Sequence, residues 1–96
     1  MKSEQLAADV VERVELVRTH GWPEFQWVWS TGQAAIVALV LDDAEVLAQL
    51  DESEQSTTLR LAYDLWGLDG GLQDEEDGLQ RTHAWLREVR DRVSAG

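Results

Sequence analysis

The sequence predicts an all-α fold: one compact bundle of four or five short helices over residues 1–96, with an extended aromatic connector between the first two. Three observations predict it. Apolar residues recur at helical spacing in several separate segments. Helix-start signals, a Ser or Asp with Gln or Glu three residues on, recur at Ser30, Asp42 and Asp51. And the one strand-like stretch has no third strand elsewhere to complete a sheet.

The first helix is expected over Ser3–His20. Leu6, Val10, Val14 and Val17 share a face, with Ala7 and Leu16 beside them and charged residues opposite. Gly21 ends it where a left-handed residue costs least. Pro23 blocks any continuation.

In "PEFQWVWSTGQ", Pro23–Gln33, the residues Phe25, Trp27 and Trp29 alternate with Gln26, Val28 and Ser30, a period of two. "STGQ" then has two readings. As a capping box, Ser30 and Gln33 start a helix through "AAIVALVL". As a turn, Thr31-Gly32 links two strands, which makes the alternative an α+β fold with a hairpin at 25–41. The alanines favour the helix.

Asp42 with Glu45 opens a further helix whose apolar side is Val46, Leu47 and Leu50, and Asp51 with Glu54 opens another. That one is expected to bury Leu59, Leu61, Ala62, Leu65 and Trp66 and to close at Gly67. Gly67–Gly71 reads as a loose loop. Asp74–Asp77 then suit the positive end of a last helix. Its inward residues are Leu79, Leu86, Val89 and Val93, with Trp85 adjacent and Arg87, Arg90 and Arg92 toward its C-terminal end.

Ninety-six residues bury roughly 60–65% of their unfolded surface, enough for one modest core. There is no cysteine, so disulfides and thiolate metal sites are excluded and a reducing compartment is expected. The N-terminal stretch has neither a signal peptide's apolar core nor a transit peptide's basic character. The longest apolar run, Ala34–Leu41, is far short of the ~20 residues that span a bilayer. The expectation is a soluble, cytoplasmic protein with no membrane partner.

Net charge is −11, and residues 19–80 carry thirteen acids against one base, Arg60. Such a surface disfavours direct contact with nucleic acid, which needs a cationic face. It attracts a cationic partner, including a protein surface that normally holds DNA. The plainer explanation is that charge keeps a small domain soluble.

No catalytic, cofactor or metal residues are expected. His20 reads as a helix-end cap and His83 as solvated. Ser30, His20 and Asp42 make a hydrolase triad on paper only, because the G-x-S-x-G elbow is missing. A calcium loop begun at Asp51 fails, with Ser56 and Ala62 where glycine and glutamate belong. Asp74–Asp77 reads as a surface helix start rather than a cation site. "GLDGG" lacks the lysine of a phosphate loop and is flanked by acids.

Five tryptophans stand out. Trp66 and Trp85 sit among leucines and are assigned to the core. Trp22, Phe25, Trp27 and Trp29 crowd one connector, more ring surface than a small helical core easily hides. Either the connector plugs the bundle, with one alternating set inward and Trp22 or Gln26 and Val28 outward, or it is a partner site. Tryptophan is enriched in binding hot spots. The candidate partner-binding residues are therefore Trp22, Phe25, Trp27 and Trp29, with Asp42 and Asp43 as an acidic rim. A homodimer that buries the connector is another way to cover the rings.

Trp27-Val28-Trp29-Ser30-Thr31-Gly32, followed by Ala38-Leu39-Val40-Leu41-Asp42, resembles small acidic accessory proteins encoded by phages of actinobacteria and by some of their hosts. The resemblance implies a protein of unassigned role that acts by binding a host factor, and it carries no catalytic residue. The function expected is thus a non-enzymatic interaction protein whose partner has a basic surface. The alternatives are an acidic nucleic-acid mimic that blocks a DNA-binding surface, and a small enzyme.

Overall fold

The structure is a computed structural model and describes residues 2–95. It is all-α, with five α-helices and no strand among the described residues. They are α1 (Lys2–His20), α2 (Thr31–Val40), α3 (Ala44–Gln49), α4 (Glu54–Glu76) and α5 (Gln80–Ala95), with one 3-10 turn at Trp22–Glu24. Helix α2 replaces the hairpin alternative at 25–41. Its start is the expected capping box: Ser30 Oγ accepts from the Gln33 amide and Gln33 Oε1 accepts from the Ser30 amide, both at 3.3 Å.

Helix α2 is apolar all round because it is the centre of the bundle. Every residue from Ala34 to Val40 is buried. Its small side, Ala34, Ala35 and Ala38, lets α3 approach with Val46, Leu47 and Leu50. Its bulky side, Ile36, Val37, Leu39 and Val40, meets Val10 and Val14 of α1, Leu61 and Leu65 of α4, and Leu86 and Val89 of α5. Val10, Val14 and Val17 of α1 and Leu86, Val89 and Val93 of α5 pack as expected, whereas Leu79, also expected inward, precedes α5 and is half-buried at positive φ (63°) in the turn.

Two helix starts lie later than the sequence signals place them. Asp42 and Asp51 are not N-caps. Both take positive φ, 57° and 59°, and end the preceding helix. The amide after each reaches back five residues, Asp43 to the Ala38 carbonyl at 2.8 Å and Glu52 to that of Leu47 at 2.9 Å. Aspartate tolerates this left-handed conformation better than most side chains, so it serves where glycine is lacking. The caps themselves are Asp43, which accepts from the Val46 amide, and Ser53, which accepts from the Ser56 amide.

Gly67 does break α4, with φ 79° and ψ −176°. The chain then re-enters a helix at once, so the loose loop expected at Gly67–Gly71 does not exist. Tyr63 and Glu75 would be ~18 Å apart along a straight helix, yet the Tyr63 hydroxyl donates to Glu75 Oε1 at 2.7 Å. The bend folds the second arm back over the first. Gly71 is needed for that approach: a Cβ there would lie 2.6 Å from Tyr63 Cδ1.

The acids Asp74–Asp77 therefore close α4 instead of opening α5. Asp74 is buried, and from there it caps α5 across the turn. Its carboxylate accepts from the Arg81 amide (2.9 Å), the Thr82 amide (3.1 Å) and the Thr82 hydroxyl (2.5 Å). Trp66 Nε1 donates to the same Thr82 Oγ1 at 3.1 Å. The Arg81 guanidinium lies over the Trp66 ring, 4.0 Å from its centroid. Trp66 is half-buried and Trp85 buried, so the α4–α5 corner is a satisfied polar knot roofed by an indole.

Bases finish the helix ends. Arg90 donates to the Leu39 and Val40 carbonyls at the end of α2, at 2.7 and 3.3 Å. Arg18 donates to the Val93 carbonyl of α5 at 2.7 Å. Each cation meets the negative end of a neighbouring helix.

Candidate functional site: the aromatic connector

The connector from Trp22 to Trp29 is coiled, not extended. Pro23 has a φ fixed near the helical value and sits in the first turn, where its missing N–H costs nothing. The amides of Phe25 and Gln26 both donate to the Trp22 carbonyl at 2.9 Å, and those of Val28 and Trp29 both donate to the Phe25 carbonyl at 3.0 Å. With no strand beside it, the backbone satisfies itself locally. Side-chain spacing then follows three and four, not two.

That change decides which rings are sheltered. Trp22, Phe25 and Trp29, at i, i+3 and i+7, form one half-buried group at the edge of the core. Phe25 and Trp29 stack with centroids 4.8 Å apart and planes 15° from parallel. Trp22 meets Trp29 edge-on at 6.5 Å, and His20 meets Phe25 edge-on at 6.0 Å. The Arg13 guanidinium stands 5.0 Å from the Trp29 centroid while its Nε donates to Asp9 at 3.0 Å.

Two polar contacts lock the connector to α3. Trp22 Nε1 donates to Asp43 Oδ2 at 3.1 Å. Gln26 is buried, where alternation had it facing out, and its Nε2 donates to Gln49 Oε1 at 2.6 Å. Trp27 turns the other way. It is 71% exposed, and Val28 beside it is 77% exposed.

The candidate residues therefore separate. Trp27 alone among the four rings is presented to solvent. Trp22, Phe25 and Trp29 build its support. Asp43 is spent on the α3 cap and on Trp22, and Asp42 is exposed in its turn, lining a notch with Glu52 and Glu54. The acids beside the exposed stretch are instead Asp9 and Glu12 of α1, which share a notch of about 260 Å³ with Val28 and Trp29. A second open depression, of about 460 Å³, shares Asp9 and Gln33 with that notch and is lined also by Leu6 and Ile36. Alternation places Val28 outward, as it is, but it puts Trp27 inward and Gln26 outward, and Val28 is not among the candidate binding residues read from the sequence. Counting in threes and fours from Trp22 leaves Trp27 and Val28 off the packed stripe.

Ser30, His20 and Asp42 form no triad. Ser30 caps α2, His20 Nδ1 lies 3.6 Å from Glu24, and Asp42 belongs to the α2–α3 turn. Among the described residues no three acids or histidines converge on a point where a metal ion would sit. Among the described residues no helix is long and apolar enough to cross a membrane. No protein-family model, no curated protein and no solved structure matches this chain.

Proposed function

We propose that the chain is a non-catalytic interaction protein that engages a protein partner through Trp27 and Val28. The observation that carries this reading is the contrast within one connector: Trp22, Phe25 and Trp29 pack against one another, with Trp22 also bonded to Asp43, and the two apolar side chains of Trp27 and Val28 are left outside. An indole on a locked backbone has little conformational freedom to lose when it is covered. Burying its exposed surface stabilises a complex by on the order of 3 kcal/mol before the costs of association. The net charge of −11 favours a partner with a basic surface. The resemblance of residues 27–32 and 38–42 to phage accessory proteins points to a host protein as that partner.

The test is capture from a host lysate with wild type, Trp27→Ala and Trp27→Ala/Val28→Ser. Both variants should keep the wild-type circular dichroism and lose the captured protein. Variants that are folded and still capture the same protein in the same amount would remove the reading.

A second reading is a nucleic-acid mimic, favoured by the segment around α3. Residues 42–54 hold six acids (Asp42, Asp43, Glu45, Asp51, Glu52 and Glu54) and no base. A mimic would compete with duplex DNA for its target, weaken steeply with salt, and survive Trp27→Ala. Competition that is flat in salt would count against it.

A further inference from the structure

We propose that the turn between α4 and α5 is a site of spontaneous covalent change: Asp77, followed by Gly78, isomerises through a cyclic imide to isoaspartate. This goes beyond the interaction reading above and does not depend on it.

An aspartate before glycine is open to this chemistry because glycine has no Cβ to keep its amide nitrogen away from the preceding side chain. The chain has no asparagine and two such pairs, Asp69–Gly70 and Asp77–Gly78. The Gly78 nitrogen attacks Cγ of the Asp77 carboxyl in its protonated form. An N–Cγ bond forms and a Cγ–O bond breaks, and the hydroxyl leaves as water with the amide proton. Water then opens the ring. Addition at Cγ restores aspartate. Addition at the main-chain carbonyl carbon leaves the backbone running through Cβ and Cγ.

The fold separates the two pairs. Asp69 and Gly70 lie in the second arm of α4. A Cβ on Gly70 would stand 2.8 Å from Trp66 Cβ, and one on Gly71 2.6 Å from Tyr63 Cδ1. The peptide between Asp69 and Gly70 is thus pressed against the first arm, and turning it toward the Asp69 carboxyl would break the fold-back. Asp77 and Gly78 are both exposed at the end of the helix. Nothing lies within 4 Å of the place a Gly78 Cβ would take. The contacts that hold them are long: the Gly78 amide donates to the Glu75 carbonyl at 3.2 Å, and Gln73 Nε2 donates to the Asp77 carboxylate at 3.3 and 3.4 Å. Helix ends of this kind open locally at little cost.

The change matters because of what the turn aligns. An isoaspartyl link adds a methylene to the main chain between Asp74 and the groups it caps. The Asp74 carbonyl accepts from the Leu79 amide at 2.7 Å, and its carboxylate from the Arg81 and Thr82 amides at 2.9 and 3.1 Å. Hydrogen bonds weaken steeply when distance and angle are lost. Isomerisation therefore loosens the α4–α5 corner.

The test ages the purified protein in neutral buffer, native and in urea, and locates isoaspartate by mass spectrometry, with isoaspartate O-methyltransferase counting the groups formed. Chymotryptic cleavage after Leu72 puts the two pairs in separate peptides. In the native protein isoaspartate should accumulate at Asp77 at least about tenfold faster than at Asp69, and in urea the two rates should differ by less than about threefold. Asp77→Glu keeps the charge and should abolish the native signal, because the longer side chain closes its ring far more slowly. Chains with isoaspartate at 77 should unfold at a lower urea midpoint than fresh protein, and aged Asp77→Glu should show no such shift. Equal or faster change at Asp69 in the native protein would overturn the inference, as would the same contrast in urea as in buffer. So would a native Asp77 that stays intact while both pairs react in urea, or isoaspartyl chains that unfold at the fresh protein's midpoint.

Discussion

Gln26 and Trp27 are adjacent in the chain and inverted with respect to their chemistry. The amide is buried and bonded to Gln49 Oε1 at 2.6 Å, while the indole is 71% exposed. A domain normally hides the ring and shows the amide. The inversion follows from coiling the connector so that Trp22, Phe25 and Trp29 take the inner positions. Once they do, the turn geometry leaves Trp27 outside.

The rings should therefore separate by stability. Trp27→Ala should change unfolding free energy by no more than about 0.5 kcal/mol, as surface substitutions do. Trp29→Ala removes a ring stacked on Phe25 and capped by Arg13, and should cost about 2–4 kcal/mol. Urea denaturation of the two variants measures both.

Asp74 should matter far more than its place in an acidic run implies. Burial pushes its carboxyl up, but the bonds from the Thr82 hydroxyl and the Arg81 and Thr82 amides, with the Arg81 charge, hold it below the ordinary value. A lowered folded-state value stabilises the fold above the ordinary carboxylate range near pH 4, and the contribution is lost as pH falls through and below it. Asp74→Asn should cost about 1–3 kcal/mol at pH 7. The gap from wild type should close at pH 2 to 3. Denaturant midpoints across that range test the sign.

How much of this was legible beforehand varies with the physics behind each signal. The buried faces of α1 and, apart from Leu79 in the turn before it, of α5 were readable because periodicity reports burial directly, and the Ser30–Gln33 box because both its partners are local. Asp42 and Asp51 misled because aspartate serves equally as an N-cap and as a left-handed helix end, and the choice depends on the neighbouring helix. Asp74 misled more deeply: its partners, Arg81 and Thr82, lie beyond the turn at Gly78 and Leu79, whose positive φ values (83° and 63°) bring the start of α5 back to it. At the site, Phe25, Trp27 and Trp29 fit a two-residue period as well as Trp22, Phe25 and Trp29 fit a helical one. Only the absence of a pairing strand separates them.

The bend in α4 has its own reporter, since Tyr63 is the only tyrosine. Its hydrogen bond to Glu75, its partial desolvation and the Glu75 charge all raise its pKa above the usual value. An ultraviolet pH titration should place it above free tyrosine, and Glu75→Ala should return it toward the free value. A normal titration in wild type would mean the arm after Gly67 does not fold back.

Thr57 is fully buried, and its hydroxyl has no partner among the described residues. An unbonded buried hydroxyl costs about 1–3 kcal/mol. Thr57→Val keeps the shape and removes that cost, so it should raise stability by roughly 1 kcal/mol. Thermal unfolding of the variant checks the sign.

The most direct measurement on the connector is 19F NMR of the protein labelled with 5-fluorotryptophan, with the Trp27 resonance assigned by Trp27→Phe. In the free protein that resonance should show the largest H2O-to-D2O shift of the five indoles. With the captured partner added, it should lose that sensitivity while Trp85 stays unchanged. A Trp27 signal as sheltered as Trp85 in the free protein, or one still solvent-responsive in the complex, would contradict the account.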